Sequence, residues 1–438
     1  MIKNYSQIVK KNLDNSITNA ASISDLFARS PGKDFKRKRK LPFEEVVRFI
    51  IGIGGNCLNK ELLDHFNYSE NTPTASAFVQ QRNKLLPEAL AFIFHDFTNQ
   101  FTNWKTYHGY RLLAVDGSTL QIANNQKSTT TFVEKIGIKG SNFLHLNVLY
   151  DLENRLYLDS ITQPIHSKNE FGALTSMIDR SSIKEPAILI GDRGYESYNI
   201  LAHLQHKGWS YLIRVKKPTS GNGILRKLEL PTNKEFSKKI SLRLTRRQTK
   251  ATKNQPLLYR FLSSHSTFDF LEQRSKEYYE LEFRVVCIKL EDGKFQYFIT
   301  NLNPSEFTGK DIEILYKKRW GVETSFRELK HTLALNSFHC KKVDECQQEI
   351  YARMIMYNFC EMITLNVVIN KIERKHTYQA NFTMAIHICK QLFKNYASAH
   401  PPNVEALISR FILPVRDGRK HLRNIKFRHF VSFNYRIA

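Results

Sequence analysis

The sequence contains no Cys-x-x-Cys pair, no apolar run long enough to cross a membrane, and too little acid to balance its base. Its six cysteines, Cys57, Cys287, Cys340, Cys346, Cys360 and Cys389, are too few for a disulfide scaffold in 438 residues. The one close cluster, His339-Cys340 with Cys346, fits no standard zinc spacing, so free thiols are expected. The most apolar stretch, 354–369, is interrupted by Asn358, Glu361 and Asn366, which suits a buried helix better than a bilayer span. The opening MIKNYSQIVKKNLDNS has no apolar signal core. These absences lead us to expect a soluble, cytoplasmic protein with no membrane partner. Eighteen glycines and 13 prolines exclude collagen-like and proline-rich architectures. The acid deficit is 41 Asp and Glu against 66 Lys and Arg, a formal charge of +25. Such an excess points to a polyanion, first of all nucleic acid. An anionic lipid surface, or basicity serving solubility alone, would fit the same number.

Hydrophobic residues make up 42% and aromatics 12%, enough for real cores, and the length suits two or three domains. Periodicity divides the chain into a helical region, 1–106, an α/β region, 107–350, and a second helical region, 351–438. In the first region Lys36 to Lys40 are five consecutive cations, which read as an arm for a DNA backbone or as a solvated linker. Helical segments follow at 43–53 and 58–66, then a helix capped at Thr72-Pro73, in the manner of a helix-turn-helix. Gln80, Gln81, Arg82 and Lys84 on that capped helix are candidates to contact DNA; an ordinary helical bundle is the plainer reading. In the α/β region, strand-like runs at 111–122, 143–151 and 155–163 precede a helix at 169–180, a buried strand at 186–191, a helix at 197–208 and a strand at 210–216. Residues 217–300 break this rhythm as a β-rich insertion. Between 214 and 250 twelve Lys and Arg face only Glu229 and Glu235. The stretch 416–428 carries six more basic residues against Asp417.

Three acids stand out. Asp116 closes the run LLAV and Asp192 closes ILIG, and ligands of α/β sheets bind beyond such strand ends. Asp116-Gly117 is also a common tight-turn pair, and Asp192 an ordinary helix or turn cap. The third is Glu323. Tyr316, Arg319, Glu323 and Lys330 fall at about 0°, −60°, −20° and −40° around a helix, one stripe roughly 60° wide. Charged pairs commonly decorate exposed helices, but two cations and a phenol around one acid also suit a phosphate backbone lying over a metal-binding carboxylate. Two strand-end acids and one helix acid are what two-metal phosphoryl transfer requires.

Tyr316-x2-Arg319-x3-Glu323-x6-Lys330 resembles the Tyr-Arg-Glu-Lys signature of bacterial insertion-sequence transposases, specifically the DDE branch called the insertion-sequence-four family. Asp116 in LLAVDGSTLQI and Asp192 in the Asp-Arg-Gly-Tyr segment resemble that family's first and second catalytic acids. The resemblance implies a ribonuclease-H-like mixed α/β sheet carrying the insertion, between a helical DNA-binding region and a helical C-terminal region suited to dimerisation. It implies Asp116, Asp192 and Glu323 as catalytic residues and ligands of Mg²⁺, with Mn²⁺ able to substitute. It implies DNA contacts from Tyr316, Arg319 and Lys330, to which Arg193, Tyr195 and Arg82 are added as candidates. The implied partners are double-stranded DNA, as element ends and target, and a second copy of the chain in a synaptic homodimer. Catalytically silent DNA-binding descendants, and ribonuclease-H-like nucleases without strand transfer, are the rival readings.

Overall fold

The structure is a computed structural model and describes residues 4–37, 39–135, 138–367, 378–394 and 403–415. The basic 416–428 stretch lies outside them. The N-terminal region is helical: α1 Tyr5–Ser22, α2 Phe43–Gly52, α3 Leu58–His65, α4 Ala75–Arg82 and α5 Glu88–Asn99. The α/β region begins with strands β1 Arg111–Ile122, β2 Phe132–Lys135, β3 Ile138–Asp151 and β4 Leu156–Pro164. It continues through α6 Glu170–Asp179, β5 Ala187–Gly191, α7 Tyr198–Lys207 and β6 Ser210–Val215. The insertion supplies β7 Phe236–Thr245, the short helix α8 Lys250–Asn254, β8 Tyr259–Phe261 and β9 Tyr278–Lys289, and β10 Phe295–Thr300 follows. Helices α9 Gly309–Lys318, α10 Trp320–Arg327 and α11 Val343–Thr364 come next, then β11 Tyr378–Ala380, α12 Phe382–Lys394, α13 Val404–Ser409 and β12 Ile412–Pro414.

The expected mixed α/β architecture is present, with helices at both ends. Strand order at the centre is β4-β3-β1-β5-β6: β3 is antiparallel to both its neighbours, and β1, β5 and β6 run parallel. This is the ribonuclease-H-like arrangement. The parallel strands are joined by α-helical crossovers, and β5, AILIG, is buried throughout, as a strand covered on both faces must be. The insertion does not form a separate sheet. β10 pairs with β6 and β9, and β7 and β8 continue outward, so one sheet of ten strands runs through both parts. Adding strands to β6 covers an edge that would otherwise expose unpaired backbone.

Several local expectations meet their physical test here. Gly208 ends α7 in the left-handed conformation (φ 73°). Gly293 turns β9 into β10 at φ 80°. The cap of α4 is Thr74, whose hydroxyl accepts from Ala77 N–H, in place of Thr72. The stretch 309–335 is not one regular helix: α9 and α10 break at Arg319, and Glu328–Thr332 form one wide π turn closed by Leu333 N–H to Glu328 O (3.1 Å).

The two faces of the sheet carry different cores. Leu113 and Val115 of β1 pack with Leu174, Ile178 and Ile200 from α6 and α7. Ala114 and Leu120 face the other way, into a core shared by α1, α2, α5, α10, α11 and α12. The N- and C-terminal helices therefore bury one common interior against the sheet face that bears Asp116. Among the described residues no helix is long and apolar enough to cross a membrane, and all six cysteines are free thiols.

Candidate active site at the strand ends

The parallel register places the first two acids. Leu113 is level with Leu189 and Ala114 with Ile190, so two further residues bring Asp116 level with Asp192. Adjacent strands lie about 4.8 Å apart. Side chains alternate along a strand, so Asp116 shares the face of Ala114, which α10 covers. Glu323 is on α10. All three acids are partly exposed. Burial pushes the Asp116 carboxyl up to about 6; its Gly117 N–H bond (2.9 Å) and the nearby Arg319 oppose this, while Glu323 and Asp192 add to it. The three acids therefore share one electrostatic neighbourhood. Asp192 caps the following turn by accepting from Gly194 N–H at 2.7 Å.

Arg319 is buried and donates from Nη2 to Glu323 Oε1 at 2.6 Å. Burial works against its charge, yet Glu323, Tyr316 and Asp116 hold its pKa above the ordinary value. Its Nε has no hydrogen-bond partner. Tyr316 is nearly buried, with its ring edge-on to Phe298 at 4.9 Å and the Arg319 guanidinium 5.6 Å from its centre. Lys330 leaves the helical stripe because of the π turn, and its Nζ donates to Thr119 O of β1 at 3.2 Å. Burial lowers the Lys330 pKa, and Asp116 opposes that.

The other candidates are placed differently. Arg193 is exposed directly beyond Asp192. Tyr195 is buried beneath the strand ends with its hydroxyl unbonded; burial, then Asp116, Glu170 and Asp192, push its pKa well up. Arg82 is a correction: it turns inward, donating to Gln348 Oε1 (2.8 Å), Glu349 Oε1 (2.8 Å) and Glu345 O (2.5 Å). Gln81 is buried as well. Three acceptors on α11 hold Arg82 in the protein interior.

Sequence reasoning missed the pair behind Gly117. His145 Nε2 lies 2.8 Å from Glu170 Oε1, and Lys168 Nζ lies 2.9 Å from the same oxygen. A Cβ on Gly117 would come within 2.5 Å of His145 Nε2 and 2.9 Å of Glu170 Oε1. The glycine after the first acid is thus a close-packing requirement as well as a turn signal. An inward-facing histidine in FLHLNVLYD was the only hint in the sequence.

Among the described residues no three His, Cys, Asp or Glu side chains are grouped tightly enough to hold a metal ion as they stand. The donor chemistry nevertheless fits a hard divalent cation. Three carboxylates supply oxygen ligands; burial is the main reason the Asp116 pKa is raised, and the smaller contributions of Glu323 and Asp192 are negative charge that such an ion would offset.

The profile of the transposase DDE domain family matches residues 107–359, which includes Asp116, Asp192 and Glu323. No curated protein matches the sequence. Among solved structures, the piggyBac transposase synaptic complex with hairpin DNA is similar over 96% of this chain and 88% of that one, with 11% identity and a TM-score of 0.49.

Proposed function

The chain belongs to the transposase DDE domain family, and from that premise we propose that it cuts DNA at the ends of a mobile element and joins the freed 3′-OH ends to target DNA. The observation that carries this reading is the parallel register that levels Asp116 with Asp192 on the face covered by the Glu323 helix. The closer affinity is the insertion-sequence-four branch with its Tyr-Arg-Glu-Lys signature, read from Tyr316, Arg319, Glu323 and Lys330.

In this reading Asp116, Asp192 and Glu323 hold Mg²⁺ or Mn²⁺. When bound, such ions activate the attacking oxygen and stabilise the leaving one. The chain's own residues do the rest. Arg319 gives up its bond to Glu323 and, with Lys330, takes the non-bridging oxygens of the scissile phosphate, where it offsets charge as the transition state forms. Water attacks phosphorus, the P–O3′ bond breaks, and a 3′-OH and a 5′-phosphate result. The 3′-OH then attacks a target phosphodiester, making one P–O bond and releasing the target's own 3′-OH. The substrate is double-stranded DNA, acting within a synaptic homodimer in the cytoplasm of a bacterial cell.

The test is cleavage of DNA carrying the gene's own flanking ends, with Mg²⁺ or Mn²⁺, by wild type and Glu323→Gln. Metal-dependent cuts at the ends that vanish in the variant, with DNA binding kept, are expected. Cleavage that persists in Glu323→Gln overturns the site assignment.

A further inference from the structure

Three tyrosine hydroxyls lie where apolar packing alone would serve. Tyr150 of β3, Tyr157 of β4 and Tyr357 of α11 are fully buried in the core that α10 shares. Their rings meet edge to face, with centres 5.1 Å apart for Tyr150 and Tyr157 and 4.9 Å apart for Tyr157 and Tyr357. Tyr150 and Tyr157 are level in the β3–β4 register, and Tyr150 is level with Ala114, two residues before Asp116. Phenylalanine packs as well, and the chain has 30 of them. A buried phenol is costly unless its O–H finds a partner.

The partners all lead to one segment. Ser325 of α10 gives its own proton to Val322 O (2.8 Å), so the Tyr157 hydroxyl, 2.8 Å from Ser325 Oγ, donates to Ser325. Tyr357 donates to Glu328 Oε2 (3.2 Å), so Tyr150, 3.0 Å away, donates to Tyr357. Arg155 approaches the other Glu328 oxygen: its Nη2 lies 3.8 Å from Glu328 Oε1 and 2.7 Å from the buried Glu361. The two hydroxyl chains therefore end on either side of Glu323.

Glu328 is also where the helix changes pitch. Leu333 N–H skips Leu329 and bonds Glu328 O (3.1 Å), which opens the π turn Glu328–Thr332. Nothing in ELKHT asks for this. Glu, Leu and Lys favour a regular helix, and the stretch has neither glycine nor proline. A π turn is rare, and this one is held from outside the helix, at the very residue whose carbonyl accepts the wide bond. The consequence lies two residues on, where Lys330 Nζ reaches Thr119 O, three residues past Asp116 on β1.

We infer that Glu328 is a positioning residue for Lys330: gripped by Tyr357, it fixes the π turn that carries the lysine to β1 beside Asp116. This rests on the reading of the chain as a DNA-cleaving transposase, in which Lys330 takes oxygens of the scissile phosphate. Glu328 touches neither DNA nor metal and acts through Lys330. A displacement of about 1 Å at such a cation costs on the order of a hundredfold in rate, so a modest loosening of the turn is readable in the chemistry.

The experiment is single-turnover cleavage of DNA carrying the gene's flanking ends, with Mg²⁺, together with amide hydrogen exchange of the free protein. Tyr357→Phe keeps the ring and removes the grip. It should lower the cleavage rate about tenfold with DNA affinity unchanged. Peptides over 328–336 should exchange faster while β5 stays protected. Glu328→Ala should do the same, and Glu328→Gln, which still accepts from Tyr357, should keep most of the rate. In a Lys330→Ala background Tyr357→Phe should cost less than about twofold, because the lysine being positioned is gone. Tyr351→Phe removes another α11 hydroxyl, one bonded to Ser160 O, and should leave rate and exchange unchanged. A wild-type rate or wild-type exchange in Tyr357→Phe overturns the positioning role and leaves the transposase reading intact. So does an undiminished tenfold loss in the Lys330→Ala background. No cleavage by wild type overturns the transposase reading, and this inference with it.

Discussion

Two buried arginines, Arg82 and Arg319, sit in regions that the sequence makes look alike and the structure makes different. Both lie in helical segments flagged as DNA contacts, and both pair with a glutamate. Arg82 lies in the seam between α4 and α11, where two side-chain oxygens and one carbonyl satisfy it and Glu349 is buried with it. Arg319 lies at the mouth beyond the sheet, bonded to the half-buried Glu323 alone and with its Nε unbonded. A guanidinium with all its acceptors inside the fold holds helices together. One with spare donors beside clustered acids is ready for an incoming anion.

Removing each arginine tests this difference. Arg82→Ala takes the closest cation from the buried Glu349 carboxylate, which keeps His339 N–H and the more distant Arg353, and leaves Gln348 Oε1 unpaired, so urea unfolding should show a loss of about 3 kcal/mol. Arg319→Ala frees a carboxylate that solvent already reaches, and should cost about 1 kcal/mol or less while abolishing DNA cleavage. Equal losses of stability would erase the distinction.

The next largest effect has the opposite sign. Asp116 is raised from 3.8 to about 6 in the folded protein, so the native state binds its proton more tightly than the unfolded chain does. Stability from this group is therefore fully present below pH 3.8, falls as pH rises towards 6, and stays lower above that. Asp116→Asn should stabilise the metal-free protein at pH 7 by up to about 3 kcal/mol and remove this part of the pH dependence. No gain in the melting curve at pH 7 would mean that burial does not penalise the Asp116 carboxylate. A smaller loss, about 1–3 kcal/mol, is expected for Gly117→Ala, because its Cβ would press on His145 and Glu170. An unchanged melting temperature would show that the pair can move aside.

What could be read in the sequence follows the same line. Asp116, Asp192 and Glu323 were legible because strand-end position and helical spacing are local properties, and parallel pairing turns them into proximity. The β-rich character of 217–300 was legible from alternation; its continuity with the central sheet was not, because that depends on β10 returning to β6 across some 80 residues. The direction of Arg82 was hidden for a similar reason. Its partners lie more than 260 residues away on α11, and no local pattern announces them. The spacing puts Lys330 on a regular helix, and the π turn that carries it to β1 leaves no mark in that spacing.

The account stands on Asp116, Asp192 and Glu323 forming one divalent-ion site. Mn²⁺ titration followed by electron paramagnetic resonance, on the whole protein with DNA carrying its flanking ends, reads that site directly. Wild type should bind Mn²⁺ in a saturable manner, and Asp116→Asn, Asp192→Asn and Glu323→Gln should each weaken that binding while DNA affinity remains. Mn²⁺ binding that is indifferent to all three substitutions would contradict it.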